Sequence, residues 1–100
     1  MLIHTVLLAP RTPDDEARIR EACAILSCLD IPGMTGFRHG PNRDFEGKSA
    51  RYTYGFVVTF ADRAAQLVYA AHPDHLRAGA MLVESCHCGH DGIFVSDLEA

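Results

Sequence analysis

The segment RYTYGFVVTF, residues 51–60, constrains the fold more than any other stretch because its side chains alternate strictly in character. Large apolar side chains occupy every second position, and small or polar ones lie between them: Tyr52, Tyr54, Phe56, Val58 and Phe60 against Thr53, Gly55, Val57 and Thr59. A period of two predicts a β-strand that buries one face. Such a strand needs further strands beside it and a layer of helices above it.

Three further strands and two helical segments supply those layers. LIHTVLLA before Pro10, the short MTGFRH and the final GIFVSDLE are each predicted to be strands. Residues 11–30 are predicted to contain a helix, with Thr12 as a candidate cap and Pro13 at its first position. Residues 61–83 are helical in pattern but interrupted at Pro73.

The predicted order βαββαβ indicates one α+β domain over residues 1–100. Its four-stranded antiparallel sheet would have the order 4-1-3-2, with both helices on one face. The other face would carry Thr53, Val57 and Thr59, a partly apolar surface that no helix covers. We therefore expect a homodimer in which a second copy covers that face.

Composition excludes several classes of protein. A net charge of −4 does not favour nucleic acid as a partner. No apolar run approaches the ~20 residues that span a bilayer, so no membrane partner is expected. The first ten residues lack the basic region and cleavage site of a signal peptide. The four cysteines are therefore expected to be reduced thiols in a cytoplasmic protein.

The segment YAAHPDH, residues 69–75, is the most unusual motif. Pro73 is predicted to end one helix near Ala71 and to begin the next, with His72 at or near the N-cap. His75 would then lie in the first turn, where the helix dipole and burial favour a neutral imidazole. A neutral His can act as a general base, and Tyr69 could donate a hydrogen bond to a carbonyl oxygen.

IHTVLL, YTYGFVVTF and YAAHPDH, taken in this order, resemble the stress-responsive A/B barrel (Dabb) family. The resemblance covers nearly the whole chain and implies a ferredoxin-like fold. It also implies a dimer in which two sheets pack into an α/β barrel. The family includes plant heat- and salt-induced proteins without clear activity. It also includes a cofactor-free polyketide cyclase that forms olivetolic acid by aldol ring closure.

The resemblance also implies site residues. The cyclase's catalytic Tyr and His fall on Tyr69 and His75, and its first-strand His falls on His4. A further His of the cyclase falls on Tyr54, where this sequence departs from the pattern. Because the first and third strands would be neighbours, we expect His4 and Tyr54 to lie side by side beneath the helices.

These observations leave two main hypotheses open. The first is a small-molecule binding protein or cofactor-free cyclase or lyase, with His75 and Tyr69 catalytic and with substrate contacts from four side chains: His4, Tyr54, His72 and Phe56. The second is a non-catalytic dimeric stress or scaffold protein, in which HPDH only caps helices and the aromatic residues fill the core. A cofactor-free monooxygenase is a further enzyme possibility.

A third hypothesis concerns the segment ESCHCGHDG, residues 84–92. If the segment is extended, Cys86, Cys88 and His90 lie on one side and could bind Zn²⁺ or Cu⁺. A structural zinc site usually draws on two separated ligand pairs, and no second pair exists, so a loop without metal is the simpler interpretation. Cys23 and Cys28 are expected to be small core residues.

Overall fold

The computed structural model describes all residues, 1–100, and has four strands and three α-helices. The elements are β1 (Leu2–Leu8), α1 (Asp15–Ser27), β2 (Met34–Pro41), β3 (Tyr54–Phe60), α2 (Arg63–Ala71), α3 (Pro73–Ser85) and β4 (Ile93–Glu99), with a short 3₁₀ turn at Gly89–Gly92. The strands form one antiparallel sheet in the order β2-β3-β1-β4. The ferredoxin-like fold predicted from the sequence is confirmed.

The break at Pro73 is where the motif predicted it. His72 has an extended backbone, with ψ of 134°, which ends α2, and Pro73 begins α3. The His72 Nδ1 atom accepts a hydrogen bond from the Asp74 backbone N–H at 3.1 Å and so caps α3. The predicted second helix is therefore two helices. None of the three helices has the length and apolar character needed to cross a membrane.

The start of α1 differs from the prediction. The helix begins at Asp15, after a turn that contains Pro13. The Thr12 side chain accepts no bond from the helix backbone; its hydroxyl and its backbone N–H both donate to Asp15 Oδ2, at 2.9 and 3.0 Å. The expected Thr12 cap is wrong because the helix begins later than predicted, with Asp14 at the N-cap position.

The core lies between the helices and one face of the sheet. The large buried side chains come from alternate strand positions and from the inner stripe of α1, and they include Val6, Leu8, Ile19, Leu26, Tyr54, Val58 and Phe60. Cys23 is in this core, and burial raises the pKa of its thiol to about 12. Cys28 is exposed, so its predicted core position is wrong.

The opposite face of the sheet carries no helix. Its central positions are half-buried. On β4, Phe94 is 46% exposed and Leu98 is 60% exposed. The Tyr52 and Phe94 rings lie together, with centroids 6.0 Å apart. This surface, here called the open sheet face, has an apolar character that a monomer would leave in water.

Candidate functional site

An apolar cavity of about 590 Å³ lies between α2, α3 and the β1–β4 half of the sheet. This volume is in the range of small-molecule binding sites. The residues around it come from these elements and also from α1, β3 and the 3₁₀ turn: His4, Val6, Leu26, Phe56, Gln66, Tyr69, Ala70, His75, Leu76, Gly79, Ala80, Leu82, Val83, His90, Ile93 and Val95. The cavity therefore brings together Tyr69, His75, His4 and Phe56.

His75 has a defined tautomer. Its Nδ1 lies 3.0 Å from the Ala70 carbonyl oxygen, and because that oxygen can only accept, Nδ1 carries the proton. Nε2 is then unprotonated, and it has no hydrogen-bond partner in the protein. Burial lowers the pKa of His75, the Ala70 carbonyl opposes this, and His4 and His72 lower it further. His75 thus presents a neutral imidazole in the wall of the cavity near pH 7.

Tyr69 packs directly against this imidazole. Its ring centroid lies 4.4 Å from that of His75 and 5.8 Å from that of His4. The Tyr69 side chain is buried, and its hydroxyl has no hydrogen-bond partner. Burial raises the pKa of this hydroxyl, so it stays protonated and remains a donor. A buried polar group without a partner costs about 1–3 kcal/mol, which a bound acceptor would recover.

His4 forms a pair with a carboxylate that sequence reasoning missed. Its Nδ1 lies 2.6 Å from Asp97 Oδ1, across the β1–β4 register that places the two residues opposite each other. The His4 side chain is buried, whereas that of Asp97 is half exposed. Strand alternation could have found Asp97, because it falls two positions after Val95 on the face that carries His4.

Tyr54 and His72, two predicted substrate contacts, do not line the cavity. The register pairs His4 with Val58 and Tyr54 with Leu8, so the expectation that Tyr54 lies beside His4 is wrong. The Tyr54 hydroxyl accepts from Arg20 Nη1 at 3.2 Å and is hydrogen-bonded to His39 Nδ1 at 2.7 Å. His72 is occupied as the cap of α3.

Within one chain, the Cys/His segment does not form a metal site. Cys86 ends α3 and is buried, whereas Cys88 is exposed with φ of 54°. The 3₁₀ turn that follows removes the extended geometry that would have aligned Cys86, Cys88 and His90. No three His, Cys, Asp or Glu side chains lie close enough together to hold a metal ion. His90 lines the cavity instead.

Gln66 is a further residue of the cavity wall that sequence reasoning missed. It lies three positions before Tyr69 on α2, so both side chains project from the same helix face. Its Oε1 atom is buried without a hydrogen-bond partner, as is the Tyr69 hydroxyl. The spacing from Tyr69 was the available signal, because a polar residue on an inward helix face is unusual.

The fold and the cavity define the chain as an α+β protein of the ferredoxin-like class. Residues 2–100 match the family model described as the stress responsive A/B barrel domain, and the chain belongs to that family. No curated protein matches the chain.

Solved structures agree with this assignment. A dimeric ferredoxin-like protein of unknown function from Jannaschia sp. CCS1 is 58% identical, with a TM-score of 0.96 over 99% of this chain and 98% of that one. A Dabb family protein from Mesorhizobium loti is 26% identical, with a TM-score of 0.78 over 99% and 95%. A hydroxynitrile lyase from Passiflora edulis shares the fold at 17% identity, with a TM-score of 0.75 over 97% and 90%.

Proposed function

We propose that the cavity binds a small carbonyl compound and that the protein catalyses proton transfer at the carbon beside that carbonyl. Such chemistry belongs to a cyclase or lyase that needs no cofactor. One observation carries the proposal: the free Nε2 of His75 and the unpartnered hydroxyl of Tyr69 belong to adjacent rings in the wall of one apolar cavity.

The two groups have complementary roles. His75 Nε2 takes a proton from the carbon next to the carbonyl, and Tyr69 donates a hydrogen bond to the carbonyl oxygen as negative charge develops there. In an aldol closure, the enolate carbon attacks a second carbonyl, and His75 returns its proton to the new alkoxide. The apolar surroundings strengthen both interactions because they exclude water.

His4 and Asp97 support this arrangement. The Asp97 carboxylate accepts the Nδ1–H of His4 and so fixes the orientation of that ring. The Nε2 atom of His4 is left as an acceptor for a hydroxyl group of the substrate. We assign His4 and Phe56 to substrate binding, with Asp97 as the positioning residue of His4.

The experiment is deuterium exchange of the methyl protons of acetophenone in D₂O, followed by proton NMR. The wild-type protein should accelerate the exchange, and His75→Gln should lower the acceleration by about 100-fold or more, the contribution of a general base. His72→Asn is the matched control, since Asn keeps the cap of α3 and His72 lies outside the cavity. Equal exchange in wild type and His75→Gln would overturn the proposal.

The non-catalytic alternative has one observation in its favour. The bond from His75 to the Ala70 carbonyl joins α3 to the last turn of α2, so His75 also stabilises the helix junction. On this alternative, the wild-type protein itself would leave acetophenone exchange at the rate of buffer alone, and His75→Gln would lower only the free energy of unfolding. Measuring both quantities on the same variant separates the two functions.

We further propose that two copies associate through the open sheet face. Support comes from the exposed Phe94 and Leu98 and from the Jannaschia protein, which is described as dimeric. Phe94→Arg should give a monomer in sedimentation velocity, because it places a charge in the interface. Val68→Arg is the control: Val68 is 54% exposed on α2, close to the 46% of Phe94, but lies outside this face. A monomeric wild type, or a Phe94→Arg dimer, would contradict the proposal.

A further inference from the structure

The cavity wall lacks any fixed charge. No Lys, Arg, Asp or Glu side chain lines the cavity, and its polar members are Gln66, Tyr69 and three histidines: His4, His75 and His90. An anionic ligand would lose its hydration and meet no Lys or Arg side chain in return, and a cation would find only the Asp97 carboxylate, which His4 already occupies. The composition of the wall favours a ligand without formal charge.

Two residues of the wall each carry a buried polar atom without a partner, and these two atoms differ in what they need. The Tyr69 hydroxyl keeps its proton, so it can donate to an acceptor. The Gln66 Oε1 atom is an acceptor and requires a donor. Because both side chains belong to the same face of α2, a ligand group that satisfies both carries an acceptor and a donor close together. A carbonyl beside a hydroxyl has this pattern.

The remainder of the cavity is apolar up to its rim. Leu76 on α3 and Val95 on β4 line it and are nevertheless 60% and 50% exposed. Between them, Gly79 and Ala80 contribute almost no side chain, and a Cβ added at Gly79 would meet no atom within 4 Å. The space between α3 and β4 is therefore suited to an apolar chain that extends from the polar end towards solvent.

We infer that the ligand is an uncharged hydroxy-ketone with an apolar chain, and that Gln66 is the residue that selects for its hydroxyl group. The inference rests on the proposed function, since it names the class of compound that the same cavity takes. It assigns Tyr69 to the carbonyl oxygen, Gln66 to the hydroxyl proton, and the rim at Leu76 and Val95 to the chain.

The test compares three probes of equal chain length by isothermal titration calorimetry: 1-hydroxy-2-octanone, 2-octanone and octanoate. We expect the hydroxy-ketone to bind at least about 10-fold more tightly than the ketone, since each satisfied buried group contributes roughly 1–3 kcal/mol. Octanoate should bind most weakly. Gln66→Leu should abolish the preference for the hydroxyl and leave 2-octanone affinity within about twofold of wild type.

A second pair of variants tests the rim. Leu76→Glu should weaken binding of 1-hydroxy-2-octanone by about 10-fold, since it removes apolar contact area and places a charge beside the chain. Leu67→Glu is the control, because Leu67 is 52% exposed on α2 and does not line the cavity.

The inference is overturned if no probe binds, if octanoate binds as tightly as the hydroxy-ketone, if Gln66→Leu keeps the preference, or if the two Glu variants behave alike. Failure of the proposed function is a separate result. It would appear as unchanged acetophenone exchange in His75→Gln, whatever the calorimetry shows.

Discussion

Two tyrosines of this protein are buried to the same degree and have opposite surroundings. Tyr54 is 0% exposed and Tyr69 is 1% exposed, and both belong to the core cluster. The Tyr54 hydroxyl has two partners, Arg20 and His39, whereas the Tyr69 hydroxyl has none. Burial alone therefore does not distinguish a structural aromatic residue from one that contacts a ligand. The hydrogen-bond partners and the adjacent empty space do.

The difference arises from the helix above each tyrosine. Over Tyr54, α1 supplies Arg20, whose guanidinium lies 4.8 Å from the ring centroid and closes the space. Over Tyr69, the side of α3 that lines the cavity contributes Gly79 and Ala80, which are too small to fill the gap to β4. One half of the sheet is thus packed, and the other half holds a cavity.

Removal of the packed tyrosine should have the largest effect. Tyr54→Ala deletes a fully buried aromatic ring and leaves Arg20 and His39 without their shared partner. We expect the free energy of unfolding to fall by about 3–5 kcal/mol, measured by urea denaturation. A loss below about 1 kcal/mol would show that this half of the core tolerates a void. The surroundings of Tyr54 and Tyr69 would then not differ in packing.

Removal of the hydroxyl group from each tyrosine in turn should lower the exchange activity at Tyr69 and leave it unchanged at Tyr54. Tyr69→Phe should lower acetophenone exchange by about 100-fold, equivalent to about 2.7 kcal/mol, the effect of losing one donor to a developing oxyanion. Tyr54→Phe should leave the exchange rate unchanged, because Tyr54 does not line the cavity. Equal losses of exchange activity in both variants would show that the loss arises from damage to the fold and not from the cavity.

In the free energy of unfolding the order is reversed, and Tyr54→Phe should be affected more than Tyr69→Phe. Tyr54→Phe removes two hydrogen bonds and should cost about 0.5–1.5 kcal/mol, because water replaces them in part. Tyr69→Phe removes a hydroxyl without a partner and should be neutral or stabilising. Urea midpoints of both variants test this order. A destabilised Tyr69→Phe would show that the hydroxyl has a partner in solution.

The smallest effect concerns pH. Because burial lowers the pKa of His75 below its ordinary value of about 6.5, the unfolded chain takes up a proton before the folded one. The stability that neutral His75 contributes is thus complete above about pH 6.5 and is lost as pH falls towards the lowered value. The urea midpoint should fall less between pH 7.5 and 5.5 in His75→Gln than in wild type. An equal fall would show that His75 protonates normally.

The sequence was sufficient for the elements and for part of the site. The element order βαββαβ predicts the sheet order, and Pro73 predicts the division of the second helical segment, because both follow from patterns along the chain. The break also places His75 and Tyr69 near each other, since they are separated by one helix junction.

Other parts depend on register, which local pattern does not determine. Tyr54 and His4 share a sheet face, but the pairs His4–Val58 and Leu8–Tyr54 are four positions apart in the register, which puts the two side chains at different ends of it. Strand alternation and the spacing from Tyr69 point to Asp97 and Gln66, but the contact of Asp97 with His4 depends on the β1–β4 pairing and that of Gln66 with the cavity on the packing of α2. The left-handed Cys88 and the 3₁₀ turn after it could not be anticipated from a pattern of metal-ligand types.

The most direct test of the central claim is a ¹⁵N-correlated NMR spectrum of the histidine side chains at pH 7.5, with and without 1-hydroxy-2-octanone. We predict that His75 is protonated on Nδ1 only, and that its Nε2 resonance shifts on addition of the probe. The His39 resonances should stay in place, because His39 bonds to Tyr54 at the packed end of the sheet. A His75 ring protonated on both nitrogens, or a His75 resonance that stays fixed while His39 shifts, would contradict the account.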